Sequence, residues 1–178
     1  MSMQQLRDGL KIVDANRSRG FFGGPCDDKL VAAAETAIGI AFPPTYREFV
    51  RQLSAGNFRA FEIYGVTGAN FDRGKVPNGI WLTLQLRREG AIPPNFLVIA
   101  DAGDGAYYCL DLRPGGQECP VVIYEPAIPT IPQRPEKVAE DFGEFFLSQV
   151  QQALAFAKMS PAERQQAAQP KPRGTLPD

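Results

Sequence analysis

Apolar positions recur at helical spacing in four stretches of the chain and alternate or run together in several shorter ones. In residues 3 to 16, Leu6, Leu10 and Val13 fall on one helical face and predict a short amphipathic helix. "RGFFGGPC" breaks it: the Gly-Gly-Pro bend follows two aromatics that read as an anchor into the core, or alternatively as an exposed aromatic patch for a ligand. From Asp27, suited to the N-cap, the residues Leu30, Val31, Ala34, Ala37 and Ile38 share a face, and Gly39 suits the left-handed C-terminal position. "IAFPP" leads into a third helix carrying Tyr46, Phe49, Val50 and Leu53, which Gly56 ends.

The middle of the chain changes character. "AFEIYGV" (60 to 66) has strand composition, and "TGANFDRGKVPNG" has that of a loop. "IWLTLQLRREG" fits alternation about as well as a helical face; Asn78 as cap and Gly90 as terminator favour helix. Strands are expected at 96 to 101, 106 to 112 and 120 to 125, with turns short enough for antiparallel neighbours. After the proline-rich "EPAIPTIPQRP", Val138, Phe142, Phe145, Phe146, Val150 and Leu154 predict one long helix over 136 to 158, whose aromatic stripe belongs to the core. The sum is an α+β fold: a single domain with a central antiparallel sheet, packed by N-terminal helices and a long C-terminal helix. The expected divisions are a helical extension (1 to 20), the domain proper (21 to 158) and a polar tail (159 to 178) without the apolar content to fold alone.

Composition narrows the function. Lys plus Arg number 19 against 20 for Asp plus Glu, with no basic block, so nucleic acid is not an expected partner. No apolar run approaches a membrane span and no signal-peptide segment precedes the first helix, so a cytoplasmic protein without membrane contact is expected. Cys26, Cys109 and Cys119 have no paired spacing and read as reduced thiols, Cys109 as a buried one. The chain has no histidine. That excludes Ser-His-Asp and Cys-His nucleophile pairs, zinc sites of the H-E-x-x-H type and the facial triad. Carboxylate or lysine chemistry survives, without a motif. "GANFDRGKV" is no phosphate loop, because Gly68 and Gly74 are one residue too far apart and Val76 replaces the required Ser or Thr.

"DAGDG" (101 to 105), between apolar strands, admits a turn or a metal site. The turn needs only glycines with φ > 0 and aspartates that cap amides, whereas a metal needs more oxygen ligands and the EF-hand spacing is absent. No cofactor and no metal are expected. A third reading is an acidic, aromatic-edged face. It joins Asp101, Asp104, Asp111, Glu118 and Glu125 to Glu62 and the tyrosines Tyr64, Tyr107 and Tyr108, unless these are only solvated strand ends.

The order "FFGGPCDDKLVAAAETAIGIAFPPTYREFVRQLSAGNF", "EIYGV", "VIADAGDGAYYCLDL", "CPVVIYEP" and "KVAEDFGEFFLSQV" resembles the SUKH superfamily, in its Smi/Knr-type branch with YobK-like bacterial antitoxins. The matching positions include Glu35, Gly39, Pro43, Tyr46, Phe49, Gly56, Asp104, Gly105, Asp111, Phe142 and Phe145. The resemblance implies a noncatalytic immunity protein that binds and blocks a cognate toxin, of nuclease type on the charge argument. Its fungal side implies instead a regulatory scaffold in cell-wall signalling. A carboxylate-dependent metal enzyme is the third class. The positions expected to face a partner are Glu62, Tyr64, Asp101, Asp104, Tyr107 and Asp111; a homodimer is left open.

Overall fold

Helical periodicity near the N-terminus and β-rich composition in the centre resolve into five helices and two antiparallel sheets. The computed structural model describes residues 2–126 and 135–159. The tail from residue 160 and most of the proline-rich connection lie outside them.

The order is α1 (Ser2–Ala15), a 3-10 turn (Arg17–Arg19), β1 (Gly20–Phe22), α2 (Asp28–Ile38), α3 (Pro44–Leu53), β2 (Gly56–Phe58) and β3 (Phe61–Ile63). Then come α4 (Gly79–Arg88), β4 (Phe96–Gly103), β5 (Ala106–Asp111), β6 (Val121–Tyr124), β7 (Glu136–Ala139) and α5 (Phe142–Lys158). The small sheet has the order β1-β2-β3 and the large one β4-β5-β6-β7. Each neighbouring pair is antiparallel. This is the expected α+β domain, with α5 packed along α1.

Local chemistry sets the helix ends. The Asp27 carboxylate accepts from Leu30 N–H at 2.7 Å, and Gly39 closes α2 at φ 80°. The side chain of Asn78 accepts from Ile80 and Trp81 N–H at 3.2 and 3.1 Å, so "IWLTLQLRR" is a helix. Its ambiguous pattern has a physical cause. Ile80 and Leu84 pack into the main core while Leu82 and Leu86 pack into a second cluster with Tyr64, Phe96, Val98, Cys109 and Val122. A helix buried on two sides has no single apolar stripe.

α4 also closes the open edge of β4. Thr83 Oγ1 accepts the Val98 N–H at 2.9 Å. The Arg87 guanidinium donates to the carbonyls of Phe96 (3.1 Å) and Ile38 (2.8 Å), and Tyr64 N–H donates to the Ile99 carbonyl (2.7 Å). An edge whose polar groups are taken up this way is not a template for another strand.

Three expectations change. The segment 136 to 158 is not one helix: residues 136–139 pair with β6 as β7, and α5 starts only where the Asp141 side chain accepts from Glu144 N–H at 3.0 Å. Val138 is therefore 39% exposed rather than on the buried stripe. The strand expected over 60 to 66 is the short β3, and "GNF" before it forms β2, whose Gly and Asn carry little strand signal. Of the two aromatics before the glycine bend, Phe22 packs edge-on to Phe49 (6.4 Å) as an anchor, while Phe21 is 76% exposed.

Candidate functional site

The "DAGDG" stretch is a hairpin turn. Asp104 and Gly105 connect β4 to β5 at φ 52° and 85°, the left-handed pair that a tight two-residue hairpin requires, and the Asp101 carboxylate accepts from Gly103 N–H at 2.6 Å. Among the described residues no group of three or more Cys, Asp or Glu side chains could hold a metal ion.

The hairpin nevertheless assembles a charged surface. β4 and β5 pair with register shifts between Val98 and Ala100 and between Asp101 and Gly103, and these set Asp101 opposite Tyr107. Tyr107 is paired in turn with Tyr124 of β6. The Tyr64–Ile99 hydrogen bond brings the end of β3 alongside β4, so Glu62 and Tyr64 join the same end of the sheet. Burial, then the charges of Asp101 and Glu62, push the Tyr64 hydroxyl up to about 12. Burial and the charges of Asp101, Cys109 and Glu89 raise Tyr107 as well. Both phenols stay protonated at neutral pH; Tyr64 is buried, so of the two it is the half-buried Tyr107 that reaches the surface beside the carboxylates. The ion pairs among the described residues involve other carboxylates, so Glu62, Asp101 and Asp104 carry uncompensated charge.

Tyr46 fixes this edge from below. Its buried hydroxyl donates to the Tyr64 carbonyl at 3.1 Å, and its ring packs on Phe42 and Phe142 at 5.1 Å each.

The remaining carboxylates lie elsewhere. Asp111 is at the far end of β5, about 20 Å from Asp104 along an extended strand, where it accepts from Asn95 and pairs with Arg113 at 2.7 Å. Glu118 accepts from Thr45 N–H (2.9 Å) and Oγ1–H (2.8 Å), which places a carboxylate at the N-terminus of α3. Tyr108 points to the main core, 4.9 Å from Phe145. Glu125, half-buried, follows β6. The structure thus gathers Glu62, Tyr64, Asp101 and Tyr107, with Asp104 at the hairpin tip, and leaves Asp111 apart. Sequence reasoning missed Glu89 and Tyr124; the Glu89-Gly90 helix end and the position of Tyr124 in β6 were the only signals.

Burial raises Glu118 above its ordinary value of 4.5, opposed by the two Thr45 hydrogen bonds and aided slightly by Asp141. The folded chain therefore holds this proton more tightly than the unfolded one. Its stabilising contribution is full below the unfolded value and is lost as pH rises through the folded one. Urea unfolding over the interval just above pH 4.5 is expected to show stability falling more steeply with pH in the wild type than in Glu118→Gln. Equal slopes would contradict the assignment.

The cysteines offer no nucleophile. Burial pushes Cys109 and Cys119 up to about 12 and raises Cys26, which keeps all three as thiols at neutral pH. No helix among the described residues is long and apolar enough to cross a membrane.

A comparison with curated proteins gives no match. The family model SUKH_6, described as SMI1-KNR4 cell-wall, matches residues 28–146. That span runs from the start of α2 into α5, covers well over half of the chain and contains the whole acidic hairpin edge. The protein belongs to the SMI1-KNR4 cell-wall family of the SUKH superfamily.

Proposed function

We propose that this protein is an immunity protein that binds a cognate bacterial toxin of nuclease type and blocks it without catalysis. Family membership supports the general reading, since the bacterial relatives it resembles are immunity proteins. The observation that carries the finer one is the edge formed by Glu62, Asp101 and Asp104 around Tyr107, with Tyr64 buried behind it, where the ion pairs among the described residues leave the negative charge untouched. A nuclease cleft is positive because it holds phosphates, and a surface of opposite sign with an aromatic anchor such as Tyr107 gains association rate and specificity against it. Buried thiols and the lack of histidine agree with a protein that works by contact.

The test uses a purified nuclease-type toxin domain as the candidate partner. Glu62→Lys combined with Asp104→Asn, which tolerates the left-handed backbone, is expected to slow association about tenfold at low ionic strength. The difference should shrink as salt rises. Unchanged kinetics at low salt would remove the hairpin edge from the interface. A toxin left fully active by an excess of the protein would remove the function.

A further inference from the structure

A second surface lies on the opposite side of the charge balance. A groove of about 850 Å³ runs between α1, β1 and the end of α3, floored by Leu10, Val13, Phe22 and Leu53. Its wall carries net positive charge: Arg7, Lys11 and Arg17 line it, with Lys11 also reaching Asp8 at 3.1 Å and Arg17 holding Asp14 at 2.6 Å, so that Arg7 is the cation there with no ion pair among the described residues. Phe21 lines it too, 76% exposed, and with Phe22, Leu10, Val13 and Leu53 makes its apolar surface contiguous.

The backbone adds a second feature. β1 is the outermost strand of the small sheet. Gly23 N–H donates to the Ala55 carbonyl and Arg59 N–H to the Arg19 carbonyl, so residues 19, 21 and 23 face β2. By the alternation of an antiparallel ladder, Phe22 turns its N–H and C=O the other way, at the open edge that borders the groove. Unlike β4, which α4 closes, this edge keeps its template.

We propose that the groove docks an extended, acidic segment of a partner protein, which seats a large apolar side chain against Phe21 and Phe22 and pairs its backbone with Phe22. The cationic wall selects carboxylates, the apolar floor takes one anchor and the open edge favours an extended over a helical ligand. Most of the lining precedes residue 28, outside the family match, and it includes neither Asp101 nor Asp104 of the hairpin edge.

The experiment pans a phage-displayed library of short random peptides on the full chain, then titrates one enriched peptide by fluorescence anisotropy. Enriched sequences are expected to carry Asp or Glu around an aromatic or large aliphatic residue. Affinity should fall about tenfold in Phe21→Ser and in Arg7→Glu/Lys11→Glu, the loss of one anchor or of two charges. Both variants alter exposed side chains, and melting curves matching the wild type show that they fold. Asp104→Asn, at the hairpin tip and outside the groove lining, should leave peptide affinity unchanged, which separates this surface from the proposed toxin contact. Enrichment of basic peptides or of none, or affinity indifferent to the groove variants but lost in Asp104→Asn, overturns the proposal. So does a concentration-dependent dimer in sedimentation that Phe21→Ser disperses, because a second copy would then be the occupant.

Discussion

Replacing Gly65 by alanine is expected to destabilise the protein by about 3 kcal/mol, at the upper end of overpacking costs. A Cβ at this position would sit 1.8 Å from the Ser54 carbonyl oxygen and 2.9 Å from its carbon, both backbone atoms. Neither partner can retreat cheaply. Ser54 closes α3 at φ 60°, with its N–H on the Val50 carbonyl and its own carbonyl accepting from Val66 N–H at 3.2 Å. On the other side Gly65 N–H donates to the Pro77 carbonyl (3.0 Å) and its carbonyl accepts from Gly79 N–H (2.9 Å), at the first turn of α4. The added methyl must therefore break the junction between α3 and α4 or push Tyr64 out of the hairpin edge. Urea unfolding measures the effect as a lower midpoint at unchanged slope. Gly68→Ala is the control: nothing lies within 4 Å of its Cβ, and a change within about 0.5 kcal/mol is expected. Equal midpoints for the two variants would show that the junction has slack that its hydrogen bonds do not suggest.

The same junction marks where sequence reasoning reaches its limit. The caps Asp27, Asn78 and Gly39 were readable because each acts on residues a few positions away, and so was the Asp-Gly turn. The face it builds was only partly readable. A regular two-residue hairpin would place Asp101 opposite Tyr108, but the shift between Asp101 and Gly103 moves it opposite Tyr107, while Tyr108, on the other face of β5, packs on the core. No composition rule locates such an irregularity. Glu62 and Glu89 reach the site through long-range packing, and Asp111 leaves it because period-two spacing says nothing of which end of a strand carries the function. β7 was hidden for a different reason: four residues, three of them exposed, flank a strongly periodic helix, and the helical pattern absorbed them. In each case local signals fixed an element, while contacts between distant elements fixed its use.

Those distant contacts converge on Phe142, and Phe142→Ala is expected to cost about 4 kcal/mol, the range of a buried Phe-to-Ala change that leaves a cavity. The ring is fully buried, with Tyr46 and Phe49 each at 5.1 Å, Phe146 at 5.9 Å and Phe145 at 6.4 Å. It thus ties the first turn of α5 to α3, and the fixed start of α5 at Asp141 prevents the helix from sliding into the void. Phe142→Leu keeps most of the volume and should cost less than about 1.5 kcal/mol. The functional consequence follows from geometry. Tyr46 rests on Phe142 and holds the Tyr64 carbonyl, so a cavity beneath Tyr46 loosens the β3 end of the acidic edge before the hairpin itself is touched. Amide hydrogen exchange of Phe142→Ala under native conditions should show faster opening at Tyr64, whose carbonyl Tyr46 holds, than at Cys109, which shares the second cluster with Tyr64 but has no such tie to Tyr46. Uniform acceleration at both sites would mean that the cluster holding Tyr64 and Cys109 opens as one unit and that the edge has no separate support from Tyr46.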